Sequence, residues 1–585
     1  VIWEDRIPDL VRLGRPMRKR FLLCCSIVML ALAVTVAAAP TGAGPRDAGP
    51  VVETILAGGA LAICSDLASR SCREAPAAGR EPSRYRLDAE SIARASDARL
   101  WTEAGAPTPE ALVRWLDVVA VDAGAELLSA AAINARFEAQ PRDNRQTNPW
   151  LSMTDAEQGS LLSALEVPQF DGDGERVRER ADPRGSREAG GLAVFEAFVA
   201  AARERSGGVT PKIAVVTASA FDPMEPVDFY ESAFEELGAQ GRWWPVDGAM
   251  AKARFPERDC AALPALRKSE LGLAGREQIY PDLAARAAAF CAADDAALDG
   301  VHGVFFAGGD QWRLRQAFFD AEGRPNAWLV ALRTAHVRGA IVVGGTSAGA
   351  AVQSGAAMLT NGSVAAALEG RISRQPPPEP GCGRAGRCPP GLAEDDLSLW
   401  MGGGLGLAPA AIVDTHFSER ARELRLLVAM EASDADWGYG ADEASALRVR
   451  DVAGGREIDA LGARGGWVFR RAGPRTVLAW YLAPGVRLAL EDGAVRLVGI
   501  DDRPSPRRPK APIPSDALEP GALRGAAARL AWRCGRSIRM VAGARAATIG
   551  CIEGATRSWV GDNGVAGVGP LRLELAAVEV SSESR

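Results

Sequence analysis

The 585-residue sequence predicts an α/β protein built on an open, mostly parallel sheet. Three observations predict it. Short continuous apolar runs at Lys212–Thr217, Gly303–Phe306 and Ala340–Val343 have the length and composition of buried parallel strands. Helical patterns alternate with them, at Leu192–Arg205, 226–239 and 325–337. Glycines stand where the strands end, in Gly308-Gly309-Asp310-Gln311 and Gly344-Gly345-Thr346-Ser347-Ala348-Gly349. Ligands of such sheets collect at the carboxyl ends of the strands.

Taken in order, the chain opens with the pattern of an export signal over 17–39. Met17-Arg18-Lys19-Arg20 is basic, Phe21 to Val36 is almost wholly apolar, and Ala37-Ala38-Ala39 supplies the small residues of a cleavage site. The apolar run is marginal for a membrane span, so a secreted or periplasmic protein with no membrane attachment after cleavage is expected. A Pro/Gly linker at 40–50 leads to a strand over Val51–Leu56, stopped by Gly58-Gly59. Residues 85–165 read as helical, with a long apolar-rich segment from Glu110 to Phe137, and 171–188 as a solvated mixed-charge loop. After the 212–217 strand come helix 226–239, a strand at Trp243-Trp244 and an irregular insert to about 275. From 445 to 500 the pattern turns to short strands. Residues 502–520 are a Pro-rich linker, and 521–585 form a small β-rich C-terminal extension. The catalytic domain is thus expected over 51–500, with 63–208 mostly an insert.

Composition narrows the function. A net charge of −6 argues against binding nucleic acid through its phosphates. Arginine supplies 63 of the 68 basic residues, so a single arginine says little. Only three histidines occur, His302, His336 and His416, which disfavours a multi-histidine zinc site and leaves few candidates for a catalytic imidazole. Eight cysteines lie beyond the signal as near neighbours: Cys64/Cys72, Cys260/Cys291, Cys382/Cys388 and Cys534/Cys551. Four local disulfides in an oxidising compartment are the simplest account.

Gly345-Thr346-Ser347-Ala348-Gly349 fits G-x-S-x-G between a strand and an Ala-rich helix, the setting that exposes a serine oxygen at a sharp turn. The helix start then aims backbone N–H groups at an oxyanion. A phosphate loop would want a lysine, and none is present. The base candidate is His416, which follows the apolar run Ala411-Ile412-Val413 at another strand end. His336 lies inside a helical pattern and His302 before a buried strand. For the third member, Glu443 follows a further turn, with Asp442 and Asp414 as rivals.

Three stretches resemble the cyanophycinases and aspartyl dipeptidases of peptidase family S51: Phe305–Gln311, Gly345–Val352 and Asp414–Arg422, with Gly440–Ala444 similar to the acid-bearing turn of that family. The resemblance covers 51–62 and 210–490. It implies a three-layer α/β/α sandwich of the class I glutamine amidotransferase-like, flavodoxin-like kind. It also implies a serine exopeptidase with Ser347 as nucleophile, His416 as base and Glu443 as acid. By the same resemblance Gly309 and Ala348 supply oxyanion N–H groups, and Gln311, Asp414, Arg420, Arg422 and Arg425 hold a peptide substrate, either cyanophycin or an aspartyl peptide. No metal or organic cofactor is implied, and a homodimer is the candidate assembly. Thr415 stands where cyanophycinases usually carry Gln. The loop Gln375–Pro390 is expected to form a disulfide-pinned rim to the cleft.

Two other readings compete. An esterase or lipase using the same elbow would take its acid from between Ser347 and His416, at Asp395 or Asp396. A catalytically inactive protein that binds acidic or Arg-rich peptides would keep the pocket without the chemistry.

Overall fold

The computed structural model describes residues 50–74, 83–103, 105–123, 126–139, 148–293, 298–408, 410–491, 494–498 and 506–577. The expected signal segment 17–39 lies outside them, as do parts of the Pro-rich linker and the last eight residues of the extension. No helix of the described residues is long and apolar enough to cross a membrane.

The strands that build the site are, in chain order, β1 (Val52–Ala57), β2 (Lys212–Val216), β3 (Gln240–Trp243), β4 (Gly303–Phe306), β5 (Val342–Thr346), β6 (Ala411–Asp414), β7 (Trp437–Ala441), β8 (Ser445–Val452), β9 (Thr476–Leu482) and β10 (Ala566–Ala577). The helices are α1 (Ala189–Arg205), α2 (Val227–Glu236), α3 (Gln311–Phe318), α4 (Ala327–Val337), α5 (Ala348–Ala351), α6 (Glu423–Ser433) and α7 (Ala522–Trp532).

A nine-stranded sheet runs Ala494–Val498, Arg487–Glu491, Gly455–Gly462, β8, β1, β5, β4, β2, β3. From β1 to β3 every pairing is parallel, and from β1 outward through β8 every pairing is antiparallel. The expected parallel strands form the half from β1 to β3, and antiparallel strands extend the sheet beyond β1. In that half alternate residues serve opposite faces, as the pleat requires. Val215, Phe305 and Val342 pack with Phe195, Phe198 and Phe234 of α1 and α2. Val216, Phe306 and Val343 pack against Leu314, Trp328 and Leu332 of α3 and α4. Helices thus cover both faces. Strand β5 runs three residues past the expected end at Val343, because Gly344 and Gly345 pair with β1 and β4. A Cβ at Gly344 would press on the Phe198 ring, 2.7 Å away, so glycine is what lets the helix lie against the sheet there.

A second sheet runs β6, β7, Gly466–Gly473, β9, β10, Arg545–Cys551, Ile538–Ala542, with Arg557–Val560 paired to β10. Residues 538–577 supply its last strands, and α7 packs Leu523, Ala526, Ala527 and Leu530 into the same core as Leu424 and Leu427 of α6. The chain first passes from this sheet to the nine-stranded one at the corner Asp442-Glu443-Ala444, between β7 and β8, and again between β9 and Arg487–Glu491.

Several local expectations change. The 244–275 segment is not irregular: it holds helices Gly248–Arg254 and Leu263–Leu271, the first capped by Asp247, whose carboxylate accepts the Met250 N–H at 2.7 Å. The apolar stretch 110–137 divides into Pro109–Ala123 and Ala130–Ala139, within a satellite core of Leu112, Leu116, Ile133, Phe137 and Trp150. The 171–188 segment is not simply solvated, because Arg176 is buried and paired with Asp228 and Asp282. All four expected disulfides are present.

Candidate active site

Ser347 sits between β5 and α5 with φ 52° and ψ −117°. A non-glycine residue there is strained by about 1–3 kcal/mol, and the surrounding hydrogen bonds must hold it. Its N–H donates to Ala57 O at 3.0 Å, and its carbonyl accepts from the N–H groups of Ala350 and Ala351, both at 2.9 Å. The strain turns Oγ out of the sheet toward His416. Oγ lies 2.8 Å from His416 Nε2, and His416 Nδ1 lies 2.7 Å from Glu443 Oε1. An ionised carboxylate only accepts, so Nδ1 carries the proton and Nε2 is free to accept from the serine hydroxyl. The His416 pKa lies below its ordinary 6.5: burial lowers it, the Glu443 hydrogen bond opposes this, and the charges of Arg420 and Arg422 lower it further. The imidazole is neutral at pH 7, the form a general base needs.

The three side chains come from three segments, and one turn gathers them. At the end of β1, three successive carbonyls accept N–H bonds: Ala57 from Ser347, Gly58 from His416 at 2.7 Å, and Gly59 from Ala444 at 3.0 Å. The Gly58 N–H donates to Ser445 O at 2.9 Å. Gly59 has φ 98°, and a Cβ on it would overlap the His416 ring. The sequence marked Gly58-Gly59 only as a strand stop. The signal available was its place at a strand's carboxyl end beside the other glycine turns. Positive φ at non-glycine residues concentrates on the same segments: Ala60, Ala62, Ser347, His416, Ala421 and Ala444 all show it.

The N–H of Ala348 is an orphan of the first turn of α5. Gly309 has φ 141°, and a Cβ on it would collide with Ser219 O. The Ser219 hydroxyl lies 2.9 and 2.8 Å from the carbonyls of Ala307 and Gly308, and Ser219 O accepts the Asp310 N–H at 2.8 Å. Because a trans peptide points its C=O and N–H in opposite directions, fixing Gly308 O aims the Gly309 N–H away from Ser219. Ser219, at the carboxyl end of β2, was missed at the sequence level. Beside Ser347 opens a cavity of 320 Å³, walled by Gly59–Ile63, Phe195, Phe229 and Tyr230.

The expected ligand-binding side chains divide. Arg420 is exposed, with its charge felt at His416. Arg422 is partly buried, donates to Thr415 O at 2.8 Å, and has its pKa pushed down to about 10 by burial and by neighbouring Arg425. Asp414 and Arg425 are buried against each other, at 2.7 and 3.0 Å, and Arg425 also donates to Gly362 O at 2.6 Å. Burial alone would raise the Asp414 carboxyl, but Arg425 and Arg422 hold it below its usual range. The pair braces the turn that carries His416. Gln311 is likewise committed, its amide donating to Leu359 O and Thr360 O at 2.8 and 2.9 Å.

The rival acids are placed elsewhere. Asp395 and Asp396 both pair with Arg371. Asp442 accepts from the Ser418 N–H and the Tyr481 hydroxyl, each at 3.0 Å, rather than from His416. Of the other histidines, His302 Nδ1 accepts the Lys212 N–H at 3.1 Å. His336 is buried with Nε2 3.1 Å from Thr54 Oγ1. Among the described residues one group has metal-ligand spacing, Cys382, Cys388 and Glu394, but its sulfurs form a disulfide. Glu394 caps the N–H groups of Gly381 and Gly383, and the loop docks onto the helix Asp155–Leu165 through Arg384–Asp155 and Arg387–Glu157.

No family model matches the chain. Over 238 residues it is 26% identical to a cyanophycinase of Geminocystis herdmanii, an alignment covering 41% of this chain and 62% of that protein. Over 141 residues it is 33% identical to cyanophycinases of Synechococcus elongatus and Thermosynechococcus vestitus, covering 24% of this chain and 34% of each of those. The matched stretch thus spans less than two thirds of the length of these curated relatives. Over part of its length the chain has a cyanophycinase-like relationship to them.

Proposed function

We propose that the chain is a serine-type exopeptidase of cyanophycinase character, cleaving the amide bond beside an aspartyl residue. The observation that carries this reading is the unbroken series Ser347 Oγ, His416, Glu443, at 2.8 and 2.7 Å. The partial likeness to cyanophycinases supports the substrate class.

In the proposed reaction His416 Nε2 removes the Ser347 proton as Oγ attacks the carbonyl carbon. The N–H groups of Gly309 and Ala348 receive the negative oxygen, each worth roughly 10²–10³ in rate. Glu443 keeps the imidazole in the right tautomer and stabilises its cation. His416 then returns the proton to the leaving nitrogen, and water repeats the sequence on the acyl-enzyme. Arg420 and the partly exposed Arg422 offer guanidinium groups to a substrate carboxylate near the reacting bond. The four disulfides fit an exported protein, with residues 17–39 as its signal.

The test is hydrolysis of cyanophycin, with β-Asp-Arg release followed by mass spectrometry and Ser347→Ala as control. Release that vanishes in the variant supports both chemistry and substrate. No release, with Ser347 still labelled by a fluorophosphonate, keeps the peptidase and moves the search to short aspartyl peptides.

A further inference from the structure

Behind the His416–Glu443 pair lies a charged cluster that touches neither the nucleophile nor the cavity. Glu419 Oε2 accepts the Glu443 N–H at 2.9 Å, fixing the backbone of the acid. Asp442, its immediate neighbour, is fully buried and accepts the Ser418 N–H at 3.0 Å, fixing the turn two residues beyond His416. One guanidinium joins these two carboxylates. Arg524 Nη1 donates to Glu419 Oε1 and, at 2.7 Å, to Asp442 Oδ2. Among the described residues it is the one cation within ion-pair distance of Asp442. Three residues earlier, the Gly521 N–H donates to Ser418 O at 2.6 Å. Arg464 also reaches Glu419, at 3.1 Å, from a more exposed position.

We propose that Arg524, in the first turn of α7, is a positioning residue for the catalytic centre, and that the C-terminal extension thereby completes the His–Glu pair supplied by the domain before it. The inference rests on the serine-hydrolase reading above. Its physical basis is that one guanidinium nitrogen, Nη1, bridges two carboxylates, each tied to a different catalytic turn. Without the guanidinium, Asp442 is a buried charge with no cation beside it. Glu419 keeps only the more exposed Arg464, and the Glu443 backbone loses its fixed acceptor. Displacement of a reacting group by about 1 Å costs on the order of 10²-fold in rate.

The experiment is a double-mutant cycle on the full chain, reading the rate at which a fluorophosphonate labels Ser347, with thermal unfolding recorded for each variant. Arg524→Gln is expected to slow labelling on the order of 10²-fold in the Glu443-containing protein. In the Glu443→Ala background the same change is expected to slow labelling by about tenfold at most, because only its hold on the Ser418 turn beside His416 remains. Arg524→Lys, which keeps the charge on a shorter stem, is expected to fall between. If Arg524→Gln does not fold, Arg524→Lys carries the same cycle. Equal slowing in both backgrounds marks a merely structural residue and overturns the proposal, as does wild-type labelling in a folded Arg524→Gln. Failure of the wild type to label at all overturns the hydrolase reading and the proposal with it.

Discussion

The two sheets contribute to the site in different ways. The first brings Ser347 and the Gly309 and Ala348 N–H groups from turns at the carboxyl ends of its own parallel strands, so each is set by a few neighbouring residues. The second brings His416 and Glu443 from two turns 27 residues apart, meeting only because β6 and β7 lie side by side. Local sequence chemistry therefore sets the proposed nucleophile, whereas the proposed base and acid meet through tertiary structure. The Ala57–Gly59 turn and Arg524 lie at the seam between the two.

Substitutions on either side of that seam can break the comparison. The largest effect is expected from Ser347→Ala, which removes the nucleophile and should cost about 10⁶-fold in turnover, with all fluorophosphonate labelling lost. Glu443→Gln, on the tertiary side, should cost about 10⁴-fold in kcat through the wrong imidazole tautomer while Tm changes little. If its loss were tenfold, the acid would be ornamental and the second sheet would supply a histidine alone. Gly59→Ala tests the seam: the new Cβ must displace the His416 ring, so labelling should slow on the order of 10²-fold although no triad residue has changed.

Finer effects concern pH. His416 must be neutral to act, and its pKa lies below 6.5, so activity should rise with pH through a value under 6.5 and level off near neutrality. Arg420→Gln removes a charge that disfavours the imidazolium. The acidic limb should therefore move to higher pH by less than about one unit, read from the pH profile of labelling. His336 gives the smallest functional effect and a stability effect instead. Its pKa is pushed down to about 4 by burial, against 6.5 in the unfolded chain. The unfolded state thus binds the proton first, so stability is full above about pH 6.5 and falls by about 3 kcal/mol as pH drops to 4. Urea midpoints at pH 7 and 4.5 measure it, and Glu443→Gln should not alter the difference.

The parallel half was legible because buried strands leave continuous apolar runs and their turns leave glycines. Ser347, His416 and Glu443 were legible as residues at strand ends. Their mutual distances were not, because nothing in Asp414–Ser418 says which strand lies beside β6. The antiparallel half of the first sheet was read as short strands without an address. Asp414 and Arg425 illustrate the other limit: a carboxylate and a guanidinium eleven residues apart look equally suited to a ligand and to each other. Their burial against each other is what the sequence does not state. The Arg524 clasp was hidden for the same reason, one arginine among 63, reaching 82 residues back along the chain.

The most direct test of the central claim is fluorophosphonate labelling of the full chain with the modified residue located by peptide mass spectrometry. The account predicts stoichiometric modification of Ser347, none in Ser347→Ala, and much slower modification in Glu443→Gln. Modification at another serine, or a rate that ignores the loss of Glu443, would contradict it.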